Sequence, residues 1–421
     1  MASPRLVSRT VPWHEGDSLA FLDTWADASP RLLVEDPDGT AFAGVGLAAE
    51  VRASSLPEVE HEVHALLASV EASGPAPCAL GGFAFRDGPS RGAWEAFPPA
   101  WFVVPRLLLR AGPTGAILTA TVPRGEDPGA LLAAARDMLP RARPHPATVK
   151  VLGNGEERAR WLSAARDTIA SIRRGDAEKV VLARQVAGEA SGPIAPTRVL
   201  AALARRGCAR FLVEPRAGLA FLGATPELLV SARGNEARTA AVAGSAGRGV
   251  SAAEEATFAD RLLHDPKELH EHEVVVDAIR RALTGLAREI RIAGSPSPVA
   301  AGPVQHLVTS VDARLDRPVG AMRLAAALHP TPAVGGAPTA AALALISDAE
   351  PFDRGWYAGG VGWVAPDGDG TFLVALRSAL LDGSSLLAWA GAGLVAESDP
   401  AREWDETDLK LRAIRDGLDQ A

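Results

Sequence analysis

The sequence predicts an α+β fold, on three observations. Short apolar runs of β type outnumber helical patterns. The two kinds are not strictly interleaved, which argues against a doubly wound parallel sheet. The stretches that do show a 3.6-residue period begin at recognisable helix caps.

In chain order, 40–53, 78–88, 101–110 and 114–122 read as strands, and 56–70 and 128–139 as helices. The stretch RARPHPATVKVLGNGEER (141–158), dense in Pro, Gly and charge, is the best boundary. It separates a sheet-rich scaffold half, 1–150, from a half of more alternating texture, 151–421. In the second half Asn154 can cap a helix over 156–174, with Trp161, Ala165, Ile169 and Ile172 on one face and Gly175 as its stop. Strands are predicted at 178–188, 211–215, 219–224, 227–233 and 239–244. A long helix is predicted over 266–289, strands at 304–315, 357–365, 371–381 and 385–395, and a last helix over 400–418.

The 421 residues are 47% apolar, ample for a buried core, and carry a formal charge of −8. That charge speaks against nucleic acid and anionic membrane as partners. An anionic small substrate would need a local cationic pocket. With only Cys78 and Cys208, one disulfide is conceivable, but a chain this long needs no staple and a reducing compartment is the simpler reading. The start, MASPRLVSRTVPWHEGD, has no apolar signal region, and no run of eighteen apolar residues occurs, so the cytoplasm is expected. No partner-binding element is evident, and a monomer is expected.

Of the 43 Lys and Arg residues only four are lysine: Lys150, Lys179, Lys267 and Lys410. Arginine stays charged in proteins, whereas lysine can be brought to its basic, neutral form. Each lysine therefore invites a question; Lys150, in the Pro-rich connector, reads as incidental.

Two helix starts carry paired acids. Asp265-Pro266-Lys267-Glu268 leads to Glu271, and Asp399-Pro400 leads to Glu403 and Glu406. Each has Asp at the N-cap, Pro at the first helical position and two glutamates three residues apart on one face. Acids in a first turn also complement the helix dipole, which alone would explain either pair. Two such pairs in one chain point to facing helices sharing a cation, and oxygen-only ligands suit Mg²⁺ better than zinc. His264, His270 and His272 crowd the same region, but HEHE is not a zinc motif, and they read as surface or packing residues.

Nine motifs in order make the family recognisable: EKVVLAR (178–184), FLGATPELLV (221–230), AVAGSAGRG (241–249), DPKELHEHEVVVD (265–277), VQHLVTSV (304–311), LHPTPAVGGAPT (328–339), GWYAGGVGW (355–363), FLVALRSALL (372–381) and WAGAGLVAESDPAREWDETDLK (389–410). They resemble the chorismate-utilising enzymes, which include isochorismate, salicylate, anthranilate and aminodeoxychorismate synthases. The resemblance covers 155–415; GGFAFRDG (81–88) and WEAFPPAWFVVPRLLL (94–109) look like the isochorismate-forming version.

That resemblance implies two stacked, mainly antiparallel sheets flanked by helices in α/β/β/α layers, both halves forming one body with the active site in a cleft. Lys179 matches the family's general base and Glu227 the general acid. Glu271 and Glu403 match direct Mg²⁺ ligands, and Glu268 and Glu406 acids that hold metal-bound water. His306, Arg377 and Lys410 match substrate-pocket residues. Gly244, Ser245, Gly391 and Gly393 match positions where backbone approaches the substrate. The implied chemistry is attack of water at C2 of chorismate and loss of its 4-hydroxyl, with Mg²⁺ on the ring carboxylate.

The branch is read from departures. Lyase members carry Thr where Ala333 stands and Lys where Thr339 stands, which favours isochorismate formation, a step serving menaquinone or siderophore synthesis. Ser245 replaces a usual Thr but keeps the hydroxyl. The LLES motif of tryptophan inhibition is missing near RLLVEDPDG (31–39), so such feedback is not expected. A salicylate- or anthranilate-type lyase and a non-catalytic chorismate-binding relative stay open as alternatives.

Overall fold

The longest strand pair, Ala41–Ala53 with Ala100–Gly112, is the seam of the molecule. Both strands are thirteen residues long, enough to serve two sheets at once. A computed structural model describes residues 6–138, 148–152, 155–203, 207–249, 251–302 and 304–419. Its strands form one open hydrogen-bonded network with two arms that leave this seam in different directions.

The first arm runs from Ala41–Ala53 through Arg31–Glu35, Ala209–Arg216, Leu219–Thr225, Ser378–Asp382 and Ser385–Leu394 to Lys179–Ala190. The second runs from Ala100–Gly112 through Ala79–Phe83, Gly360–Val364, Gly370–Val374, Leu228–Arg233 and Glu236–Gly247 to Val304–Leu315. All these pairings are antiparallel, and the ladders cross position 150 in both arms. Between the arms lies one core, in which Trp94 stacks on Trp389 at 5.2 Å and Phe42 on Trp363 at 4.0 Å. These aromatic contacts tie N-terminal residues to C-terminal strands.

Helices cover the network. In Gly155–Arg173 the residues Trp161, Ala165, Ile169 and Ile172 are all buried, the face their spacing predicts. The proposed cap Asn154 lies outside the described residues, and so does 139–147 of the connector; its later part is the strand Val149–Leu152. Cys78 and Cys208 are both buried. Among the described residues no helix is long and apolar enough to cross a membrane.

Two predicted elements are corrected. The helix expected over 266–289 ends at Leu283, where Thr284 caps it, and Gly285 turns the chain at φ 87° into the strand Ala287–Ile292. The strand expected over 371–381 is two strands, Gly370–Val374 in the second arm and Ser378–Asp382 in the first. Ala375–Arg377 carries the chain from one arm to the other. An uninterrupted apolar run cannot reveal this, because both pieces are buried strands.

Arg354 ties the strand Lys179–Ala190 to the loop at Val334 and to Glu350. Its guanidinium donates to the carbonyls of Val181 at 2.7 Å and Val334 at 2.8 Å, and pairs with Glu350, which also accepts from Ala183 N at 2.8 Å. All of this is buried, and removing one charge strands the other. Arg354→Met is expected to lower unfolding free energy by ~3–5 kcal/mol in denaturant titration. Arg238→Ala, which breaks an exposed pair with Asp312, should leave it unchanged within error.

Candidate active site

Two chain crossings define the site. The first arm's strand Leu219–Thr225 ends at Pro226, which has no N–H to continue a ladder, and the chain re-enters sheet in the second arm at Leu228. Glu227 is thus the crossing residue, not the strand residue expected from 227–233. The second crossing, Ala375–Arg377, lies alongside: Val374 N donates to Glu227 O at 3.0 Å, and Ala224 N to Arg377 O at 3.3 Å. Arg377 takes φ 49°, a left-handed conformation uncommon without glycine.

Where the arms part there is a cavity. Its wall includes Glu227, Gly244, Ser245, Glu271, His306, Ala333, Arg377, Gly391, Gly393 and Lys410. Lys179 is fully buried immediately behind this wall, with its Nζ 3.0 Å from Glu271 Oε1. Glu268, Glu403 and Glu406 stand beside Glu271, outside the cavity wall. Thr339 is exposed at the start of the helix Thr339–Ala349, away from the cavity.

The cations and acids interlock. Both N-caps form as expected: Asp265 accepts from Lys267 N at 2.9 Å, and Asp399 from Ala401 N at 2.9 Å. The helices Pro266–Leu283 and Pro400–Asp419 then bring their first turns together. Lys267 Nζ sits between them, 2.9 Å from Glu268 Oε1, 2.8 Å from Glu403 Oε1 and 4.0 Å from Glu271 Oε2. Lys410 Nζ is 2.6 Å from Glu406 Oε1 and donates to Gly391 O at 2.9 Å. Ser245 N donates to Glu268 Oε2 at 2.8 Å, tying the cavity wall to this cluster.

Burial raises the carboxyl of Glu268, and burial with the neighbouring Glu406 pushes Glu403 up to about 7. Burial would raise Glu271 too, but Lys179 and Lys267 hold it below the ordinary carboxylate range. Glu227 has no such close partner; burial pushes it up to about 7 against the charges of Lys179, Lys410 and Arg377. A carboxyl so placed is substantially protonated at neutral pH.

Arg377 donates to Ala301 O at 2.7 Å and to His306 Nε2 at 2.6 Å. Guanidinium cannot accept, so His306 Nε2 is the acceptor and the imidazole is neutral. Its Nδ1–H then donates to Ser245 Oγ at 2.9 Å. Burial, then Arg377 and Lys410, hold its pKa well below the usual value. His272 is buried between Ala243 O and Thr309 Oγ1, while His264 and His270 are exposed, in keeping with packing and surface roles.

Gly393 is forced by space. A Cβ there would overlap Glu271 Oε1 and come within 3.0 Å of Lys179 Cε. At Gly391 a Cβ would lie 3.3 Å from Tyr357 Oη. Tyr357 and Arg354 also line the cavity and were not singled out in the sequence. Tyr357 is the chain's one tyrosine, a signal of the same kind as its rare lysines.

Among the described residues no three acid, imidazole or thiol groups stand ready to clasp a metal. The carboxylates are instead gathered round the Lys267 ammonium. Glu268 Oε1 and Glu403 Oε1 contact its Nζ, while Glu271 Oε2 stands 4.0 Å away; the donors are all carboxylate oxygens, the kind Mg²⁺ takes.

Comparison with known proteins follows this geometry. A family model described as chorismate binding enzyme matches residues 1–419. The salicylate biosynthesis isochorismate synthase of Pseudomonas aeruginosa is 40% identical, over 99% of this chain and 90% of its own length. Isochorismate synthase MenF of Bacillus subtilis is 34% identical over 81% of this chain and 74% of its own. Among solved structures, MenF, the menaquinone-specific isochorismate synthase from Escherichia coli, superposes with a TM-score of 0.82 at 26% identity, covering 99% of this chain and 95% of that one. Anthranilate synthase component I from Streptococcus pneumoniae, at 18% identity and a TM-score of 0.67, over 98% of this chain and 92% of its own, shares the fold.

Two outcomes are expected. Gly393→Ala should destabilise the protein by ~1–3 kcal/mol through overpacking, whereas Gly192→Ala, with open space around it, should not move the melting temperature. In ¹⁵N NMR, His306 should remain neutral and Nδ1-protonated as the pH is lowered through the range where an ordinary imidazole takes up its proton.

Proposed function

The chain belongs to the chorismate-binding enzyme family, and on that footing we propose that it is an isochorismate synthase, an isomerase that moves the ring hydroxyl of chorismate from C4 to C2. The observation that carries the reading is Glu227, a buried carboxyl pushed up to about 7 on the wall of a cavity that Arg377 and Lys410 also line. Such a group is an acid at neutral pH and can protonate a departing hydroxyl. Chorismate is a dianion. Arg377 and Lys410 supply positive charge in the cavity, and Gly391 and Gly393 leave room for a ring.

Lys179, in its uncharged form and released from its pair with Glu271, is the base that takes a proton from water as it attacks C2. Its reach to the cavity depends on Glu271, which stands between them, moving aside. Glu227 delivers its proton to the 4-hydroxyl as the C4–O bond breaks. His306, held neutral by Arg377, keeps that guanidinium and Ser245 in fixed positions. Glu271 and Glu403 would hold Mg²⁺ directly, with Glu268 and Glu406 around its water. When bound, the ion neutralises the ring carboxylate and polarises the diene.

The isomerase branch is supported by the names of the relatives and by Ala333. The methyl side chain of Ala333 puts no hydroxyl into the cavity where lyases carry threonine.

Incubation with chorismate and Mg²⁺ is expected to give isochorismate without pyruvate, and EDTA should stop it. Pyruvate release would identify a lyase instead. Because Glu227 must be protonated, kcat/KM should fall as pH rises through about 7. Glu227→Gln, which has no proton to give, should lose roughly 10²–10⁴ in kcat with the fold intact.

A further inference from the structure

We infer that Lys267 is a tethered counter-ion: its ammonium occupies the cation position beside Glu268, Glu403 and Glu271 when no metal is bound, and Mg²⁺ binds by displacing it. This rests on the proposed reading of those glutamates as a cation site.

Three observations carry it. The first is geometry: Nζ lies 2.9 Å from Glu268 Oε1 and 2.8 Å from Glu403 Oε1, with Glu271 Oε2 at 4.0 Å. One nitrogen therefore bridges the first turns of two helices that are far apart in sequence. A metal ion shared by these carboxylates would need the same space, and two cations cannot fill it together.

The second is position. Lys267 follows Pro266 in the first turn of its helix. A positive charge there opposes the helix dipole. An acid or a neutral residue would serve the helix better, so helix formation does not account for lysine at this place.

The third is residue type. Only four of the 43 basic residues are lysine, and Lys179, Lys267 and Lys410 all meet these glutamates. An arginine fork would hold a carboxylate through two parallel bonds and resist replacement. An ammonium on a four-carbon stem makes separable contacts and can swing away. The Lys267 side chain keeps 19% of its surface exposed, so a path to solvent is open, whereas Lys179 has none. On metal binding the ammonium leaves the carboxylates with its protonation unchanged and is hydrated. In the metal-free protein it keeps four crowded acids from driving the helix starts apart.

The test compares wild type with Lys267→Met, which keeps the stem and removes the charge; Lys267→Gln replaces it should the Met variant not fold. Mn²⁺ binding is followed by the EPR signal of free Mn²⁺, and melting temperature is read in EDTA and with Mn²⁺. The variant is expected to bind Mn²⁺ about tenfold more tightly, to melt lower than wild type in EDTA, and to gain more from Mn²⁺. Equal or weaker Mn²⁺ binding by the variant, with binding by wild type intact, overturns the counter-ion role alone. Absence of Mn²⁺ binding in both proteins overturns the cation site itself and this role with it.

Discussion

Charge cannot be buried alone, and the centre of this molecule is arranged around that constraint. Lys179 is fully buried and stands against Glu271, whose carboxyl it keeps ionised. Glu271 in turn belongs to a set of four glutamates that Lys267 and Lys410 partly neutralise. Removing any member leaves others uncompensated, so the set acts as a unit. Glu227, on the cavity wall nearby, escapes the same constraint differently: with no ion-pair partner of its own, burial favours its neutral form. A base candidate and an acid candidate thus acquire opposite environments from one cause.

The fold supplies that arrangement through its two arms. Strands that would otherwise run on switch from one arm to the other at Pro226–Glu227 and at Ala375–Arg377, and backbone hydrogen bonds from Val374 N to Glu227 O and from Ala224 N to Arg377 O hold the two switches in place. Glu227 and Arg377 are carried by the switches, Lys179 by the strand Lys179–Ala190, and the four glutamates by two helix starts. Arg354 spans Val181, Val334 and Glu350, so it holds the strand that carries Lys179 against the loop that presents Ala333. Stability and site geometry draw on the same contacts here.

Much of this was legible in the sequence. Asp-Pro followed by paired glutamates located both helix starts, since capping and dipole effects act locally. Periodicity placed Gly155–Arg173 with the right face buried, and the strand Val304–Leu315 with its predicted ends. The break inside 371–381 was not legible, because an apolar run looks the same whether it stays in one sheet or passes to another. Nor was the end of the helix at Leu283 read, although Thr284-Gly285 signalled it. Scarcity of lysine drew attention to Lys179, Lys267 and Lys410 alike, but the family resemblance gave roles only to Lys179 and Lys410. The unfavourable place of Lys267 in a first turn could have pointed to a role for it too. Tyr357 and Arg354 join the cavity through tertiary packing that local pattern does not encode.

The most direct test of the proposed chemistry follows the oxygen. Chorismate turned over in water enriched in oxygen-18 should give isochorismate carrying one labelled oxygen, at the C2 hydroxyl, because that hydroxyl comes from solvent. Unlabelled isochorismate would mean that the hydroxyl migrates without water attack, and the roles given to Lys179 and Glu227 would then be wrong.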